Sequence, residues 1–438
     1  YNHIWEMDKA LKAKVLVEPE STQEVSQIMS VCNQLEQKVV VFGGLTNLVG
    51  GTETEGDELI ISLERMNKIE ELDSSSRTMT VQAGVCLQEV QERAGEADLL
   101  FPLNFGAKGS AQMGGIVSSN AGGLRVFRFG MTRQLVLGLE VVLPDGTIID
   151  SLKKIIKDNS AYDLKQLFIG SEGTLGVVTR MVLKLTEKPE SRCAAYVGLH
   201  QYDRVVELLK FMDRKSAGKL SGFELIWKDT YKAMTSPPAS SRPPLPQDYK
   251  YYVLIELMGG DQNADMDLLE SLLSTALESG LIEDAVLAYT ASDMEWFWKI
   301  REDVHVFVSL CDFDQHFDVS LPVGEIGDYV DGVIEKMKDW PEITHIFPFG
   351  HVADGNVHFV IGKTQDGEDL KSKVNELIYR PLKAYRGSVS AEHGIGKHKK
   401  DYLSISRSPQ EIELMKLIKR TLDPKAILGP GKIFAIEN

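Results

Sequence analysis

Cysteine is scarce in this chain and thinly spread. Cys32, Cys86, Cys193 and Cys311 show no paired spacing, which excludes a zinc ribbon, an iron–sulfur ligand run and a secreted disulfide scaffold. They read as reduced, structural thiols of a cytosol-like compartment. No apolar run approaches the ~20 residues that a membrane span needs. Positive charge is in deficit: 48 Lys and Arg against 64 Asp and Glu leave a net charge of −16. Neither nucleic acid nor an anionic membrane surface is therefore an expected partner, and an anionic substrate requires a local cationic pocket. There is no internal repeat, and no biased stretch beyond a proline-rich loop at 237–246. The chain begins at Tyr1 rather than methionine. The expectation is a missing leader or arm, with a cytoplasmic location, or a mitochondrial-matrix one if that leader is a transit peptide.

What is present is a chain of 438 residues, 43% hydrophobic, long enough for two or three domains. Ser21 with Glu24 writes a capping box, and Val25, Ile28, Met29 and Cys32 repeat at helical spacing, predicting a helix over 22–36. Residues 38–42 read as a buried strand running into Gly43-Gly44-Leu45-Thr46-Asn47-Leu48-Val49-Gly50-Gly51. The strand-like run at 59–62 follows, not the helix of a Rossmann fingerprint or P-loop. The loop is thus a phosphate nest of another kind, or a plain turn.

Two more glycine-rich segments, 109–123 and 170–176, flank a strand pair at 139–143 and 147–150. Glycine at this density lets backbone approach a ligand closely. Three nests on one α+β domain suggest one large phosphate-bearing cofactor; three unrelated turns are the alternative.

After Pro189, strands at 196–199, 251–257 and 285–289 alternate with amphipathic helices at 205–212, 265–278 and 326–338. This second domain carries Gly350-His351-Val352-Ala353-Asp354-Gly355-Asn356-Val357-His358 and Ser390-Ala391-Glu392-His393-Gly394-Ile395-Gly396. Asp354-Gly355-Asn356 reads as a hairpin turn that brings His351 and His358 toward one another. Any one of these histidines alone is as readily a residue that satisfies local backbone. As a set with Glu392 and His393 they suit a divalent metal beside a titrating base, in a site expected where the two domains meet.

In order along the chain, the loop 43–51, Asn120-Ala121-Gly122-Gly123, the run 168–176, the two histidine segments and Leu422-Asp423-Pro424-Lys425 resemble the FAD-linked D-2-hydroxy acid dehydrogenases. That family, with D-lactate and D-2-hydroxyglutarate dehydrogenases among its members, is of the vanillyl-alcohol-oxidase type. The resemblance covers nearly the whole chain. It implies an α+β fold: a two-subdomain FAD-binding domain over 1–190, a substrate (cap) domain with an antiparallel sheet over 191–395, and a segment 396–438 returning to the FAD domain. Gly43, Gly44, Leu45, Thr46, Asn47 and Leu48 would hold the pyrophosphate. Gly109, Gly114, Gly115, Asn120, Ala121, Gly122, Gly123, Glu172, Gly173, Gly176 and Val177 would line the rest of the cofactor. No histidine neighbours these segments in sequence, so FAD is expected to be non-covalent.

Carried over position by position, His351, His358 and Glu392 match the divalent-metal ligands, usually for zinc, and His393 matches the general base. Arg301 matches the arginine that grips the substrate's C1 carboxylate, a task for a bidentate guanidinium; by itself it reads as a solvated helix charge. The chain departs from the pattern at Asn47, where glycine is usual, at Gly429, where asparagine is usual, and at His305, His316 and Val360. D-2-hydroxyglutarate dehydrogenases tend to carry threonine, lysine and asparagine at the last three. His305 and His316 would face the far end of the substrate, which leaves D-2-hydroxyglutarate, D-malate, D-lactate or a larger D-2-hydroxy acid in play.

The implied reaction is hydride transfer from C2 to flavin N5, yielding a 2-oxo acid. Electrons would pass to an external acceptor such as an electron-transfer flavoprotein, a quinone or a cytochrome, or to oxygen, and a homodimer is allowed for. Two rivals stand beside it: a flavin-dependent alkyl transferase of the same superfamily, and a non-catalytic flavin- or metal-binding subunit of a redox complex.

Overall fold

Ser21 accepts the Glu24 N–H and opens helix α1 (Thr22–Leu35), which ends where Glu36 turns left-handed at φ 54. Its apolar stripe, Val25, Met29 and Cys32, is buried in one core cluster with Val39 and Ile61, residues of a parallel sheet made of β1 (Val15–Val17), β2 (Val39–Phe42) and β3 (Leu59–Ser62) in the order β1-β3-β2. The unbroken run Val39-Val40-Val41-Phe42 suits a strand buried on both faces. Val39 joins one core cluster, and Val40 and Phe42 another.

A second, antiparallel sheet contains β4 (Ile69–Asp73), β5 (Thr78–Gln82), β6 (Val136–Val142), β7 (Ile148–Ser151) and β8 (Val177–Lys184), in the order β7-β6-β8-β5-β4. The expected hairpin is β6–β7, with Asp145 Oδ1 accepting the Thr147 N–H. Short helix α2 (Met113–Ser119) packs Met113, Ile116 and Val117 into the same core. The computed structural model describes residues 2–3 and 6–436 and divides the chain into two units, Tyr1–Lys188 with Glu392–Asn438, and Pro189–Ala391. The C-terminal stretch rejoins the first unit at β2: Val39 N–H donates to Ile427 O, and Gly429 N–H to Val39 O.

The second unit is built on a seven-stranded antiparallel sheet of β9 (Ser191–Leu199), β10 (Leu220–Trp227), β11 (Tyr251–Gly259), β12 (Asp284–Leu287), β13 (Phe313–Ser320), β14 (Ile343–Gly350) and β15 (Asn356–Lys363). Their order is β12-β9-β11-β10-β14-β15-β13. Strand β12 stops short of Tyr289, because Thr290 caps helix α3 (Ala291–Glu302). Helix α4 (His305–Leu310) follows. One face of β13 and β15, carrying Phe317 and Phe359, is buried under Tyr379 and Tyr329. Alternation along a strand therefore puts Asp314, His316 and Asp318 on the other face.

Candidate active site

Cross-strand pairing makes three rows on that second face: Phe349–His358–Asp318, Phe347–Val360–His316 and His345–Gly362–Asp314. The β14–β15 turn occupies 351–355. Gly355 lies at φ 86, where a side chain would drive its Cβ to 2.6 Å from Leu321 O; Asn356 opens β15 instead of sitting in the turn. The hairpin does bring the two histidines together, with ring centroids 5.2 Å apart and planes at 88°.

Arg301 is not a solvated helix charge. It is buried, its Nε donates to Glu224 Oε2 at 2.8 Å, and its guanidinium lies over the Phe349 ring at 4.7 Å. No described residue accepts from its Nη groups, so a planar fork of donors is left for a ligand. Glu224, fully buried on β10, also stands 2.7 Å from His351 Nδ1. Burial pushes its carboxyl upward, but His351 and Arg301 outweigh this and hold it below the usual range.

Asp318 is buried as well and accepts from Asn356 Nδ2 (2.8 Å), Ala391 N–H (3.0 Å) and Ser390 Oγ (3.3 Å). The bond to Ala391 ties down the chain just before Glu392 and His393. Asp318, His358, Glu392 and His393 each offer a ligand atom, and these atoms all lie within 4.8 Å of one another. Imidazole and carboxylate donors at this spacing fit zinc or a similar divalent ion. Asp318 joins the expected residues here, whereas His351 stands outside this four-residue group and is held by Glu224.

In the first unit the glycine segments are stacked on each other. A Cβ on Gly44 would come within 1.8 Å of Ser110 O, and one on Gly43 would lie 3.6 Å from Gly115 Cα. Asn47, where glycine is usual, staples its own loop: Oδ1 accepts from Gly51 N–H and Nδ2 donates to Thr52 Oγ1. Leu45, Asn120 and Glu172 adopt positive φ; Asn120 Oδ1 accepts from Arg133 N–H. Gly115 and Gly173 face open space, with nothing within 4 Å of a built Cβ. Such a cradle of bare backbone fits a dinucleotide cofactor.

The Glu172 side chain is engaged within the chain. Both oxygens accept backbone N–H groups, from Ile395 and Gly396, at 2.7 Å each. Burial pushes its carboxyl up, against the pull of those amides. A histidine also meets the first loop, although none is near it in sequence: His398 Nε2 bonds Glu53 at 2.6 Å, and a Cβ on Gly50 would come within 2.7 Å of it.

His305 is exposed at the start of α4. His316 is exposed on β13 and pairs with Asp314 at 2.9 Å, one row from His358. Sequence reasoning missed Glu224 and Asp318. The Asp314-His316-Asp318 alternation against Phe317 and Val319 was the available signal for the second; Glu224 had none.

Comparison with known proteins agrees with this architecture. The model for "FAD binding domain" matches residues 13–151, and that for "FAD linked oxidases, C-terminal domain" matches 188–433. D-2-hydroxyglutarate dehydrogenase, mitochondrial, of Arabidopsis thaliana is 37% identical over 96% of this chain and 75% of its own length. A putative mitochondrial D-lactate dehydrogenase of Schizosaccharomyces pombe is 35% identical over 99% and 84%. Among solved structures, p-cresol methylhydroxylase superposes with a TM-score of 0.72 at 17% identity, covering 97% of this chain and 89% of its own, which speaks to the fold alone. No helix among the described residues is long and apolar enough to cross a membrane. The chain thus belongs to the FAD-linked oxidases and, within them, to the FAD-dependent D-2-hydroxy acid dehydrogenase family of enzymes.

Proposed function

We propose that the protein oxidises a D-2-hydroxy acid of the D-2-hydroxyglutarate, D-lactate or D-malate class to its 2-oxo acid, using non-covalent FAD and a divalent metal. The observation that carries this reading is the joining of a metal-competent donor set, Asp318, His358, Glu392 and His393, to a family fold that binds FAD. The chemistry that bound FAD supplies is acceptance of the C2 hydride, and that of a bound ion is polarisation of the hydroxyl. His358 and Glu392 of that set, joined by His351 from beside it, would hold the ion, which leaves His393 for the proton. The Gly43–Leu48 run, segment 109–123 and residues 172–177 would hold FAD.

Arg301 binds the C1 carboxylate through its Nη fork, fixing the acid's orientation. His393 takes the hydroxyl proton as C2 loses its hydride, a task suited to imidazole near neutral pH. His316, one row along the sheet face from His358, and His305 meet polar groups at the distal end. Electrons leave to an external acceptor.

The test is anaerobic flavin bleaching with a panel of D- and L-2-hydroxy acids. D isomers should bleach the flavin and L isomers should not; His393→Ala should slow bleaching roughly 10²–10⁴-fold with little change in binding. Equal bleaching by both hands, or none by any acid, overturns the reading.

A further inference from the structure

An imidazole offers a metal one nitrogen at a time, and the partner of the other nitrogen decides which. His351 stands at the end of β14 with Nδ1 at 2.7 and 2.8 Å from the two oxygens of Glu224. That carboxylate cannot turn away: it is buried in β10, and Oε2 also accepts Arg301 Nε at 2.8 Å. An ionised carboxylate only accepts. The ring hydrogen therefore belongs on Nδ1 and the lone pair on Nε2.

We propose that Glu224 is a positioning residue that sets His351 in the tautomer ligating through Nε2 and, through the same carboxylate, aims the Arg301 fork. Metal grip and substrate-carboxylate grip then hang from one buried anchor. This deepens the proposed function and rests on it for the metal, whereas the tautomer is a property of the chain itself. Two observations support the double role. Arg301 is clamped from a second side by the Phe349 ring, so a single bond at Nε suffices to fix its plane. Phe349 in turn pairs across the sheet with His358, so the arginine packs against the hairpin that carries both histidines.

Geometry also says why glutamate is needed. Glutamine presents one acceptor oxygen and an NH₂ that donates. It cannot accept from both Arg301 Nε and His351 Nδ1 without sharing one oxygen, and an NH₂ turned to the ring favours the opposite tautomer.

The experiment uses the FAD-loaded protein with ¹⁵N-labelled histidine, stripped of metal by chelation and studied at about pH 9, above the ordinary imidazole range. Long-range ¹⁵N–¹H spectra, with His351→Gln as the assignment control, should give His351 as Nδ1–H with an unprotonated Nε2. Glu224→Gln should move that signal toward Nε2–H, weaken zinc affinity roughly 10–100-fold as loss of a partner to a metal-ligating histidine does, and raise KM for every 2-hydroxy acid together. Arg301→Lys should raise KM while leaving the His351 tautomer and zinc affinity unchanged. An Nε2–H or doubly protonated His351 in the wild type overturns the proposal, whether or not Glu224→Gln folds. So does a folded Glu224→Gln with unaltered tautomer and zinc affinity. Nδ1–H in a wild type that binds no zinc supports the tautomer assignment and sinks the metal reading of the function instead.

Discussion

Replacing Gly44 and Gly115 separately distinguishes glycines needed by the protein from glycines needed by its cofactor. A Cβ on Gly44 would lie 1.8 Å from Ser110 O and 2.7 Å from Ser110 C, distances that real Cβ atoms do not reach. Opening the first contact to 3.0 Å moves backbone by at least 1.2 Å, against a segment in which Ser110 and Ala111 N–H groups both donate to Ala107 O. Overpacking of that kind costs ~1–3 kcal/mol. Gly44→Ala should therefore lower the melting temperature of the FAD-free protein, by roughly 2–4 °C per kcal/mol for a unit of this size. Gly115 is exposed inside α2, with nothing within 4 Å of its Cβ. Alanine there should leave the FAD-free melt unchanged or raise it, since glycine costs a helix about 0.5–1 kcal/mol. If the backbone at 115 approaches FAD, however, the methyl group stands in the cofactor's place, and FAD affinity should fall roughly tenfold or more. Thermal melts of FAD-free protein and flavin-fluorescence titrations read both quantities. A Gly115→Ala protein that binds FAD like the wild type would refute the assignment of segment 109–123 to the cofactor. A Gly44→Ala protein with an unshifted melt would refute the close approach of the two loops.

Arg301→Lys should weaken every 2-hydroxy acid alike, by ~1.5–3 kcal/mol for the charged hydrogen bond lost, seen as KM in steady-state assays. Arg301→Ala should in addition destabilise the fold by ~3–5 kcal/mol, because the Glu224 carboxylate stays buried without its guanidinium counter-charge; urea unfolding tests this. His316→Ala should impair D-2-hydroxyglutarate and D-malate more than D-lactate in anaerobic stopped-flow, and equal losses would make it a residue that merely holds its strand. Lys432 is lowered to about 8 by burial, with Lys397 adding to it against the opposing pull of Glu172, Glu58 and Glu53. Between about pH 8 and the unfolded lysine range, the unfolded chain holds the extra proton, so stability should rise with pH by about 3 kcal/mol in total. Lys432→Met should flatten that rise in urea midpoints taken at about pH 8 and about pH 10.

Much of this architecture was legible because its signals are local. Three glycine segments and a hairpin turn announce themselves within a dozen residues, and Ser21 with Val25, Met29 and Cys32 defines α1 to within a residue of where it ends. The rest depends on pairings distant in sequence. Arg301 looks like a solvated charge on its own helix; it is buried only because Glu224 and Phe349 reach it from other strands. The carboxylate of Glu172 meets amides at 395 and 396, and His398 meets the first loop, both across separations that no motif spans. The turn at 351–355 ends one residue before the expected one because Asn356 donates from Nδ2 to Asp318 and Val319 O, which commits it to the strand.

The return of the C-terminal stretch to β2 bears on how this chain can be made. The ends of the first unit are separated by the whole of the second. Lys419, on the C-terminal helix Pro409–Leu422, donates to Thr174 O inside the third glycine segment, while Ile427 and Gly429 flank Val39. During synthesis at about 5–20 residues per second, the edge of β2 and the back of that glycine loop wait on the order of ten seconds or more for partners that emerge last. The second unit, continuous in sequence, waits less, since its β10–β14 pairing joins Leu225 to Gly350. Nascent chains arrested before residue 409 should therefore hold a protease-resistant second unit beside a first unit that is still readily cleaved.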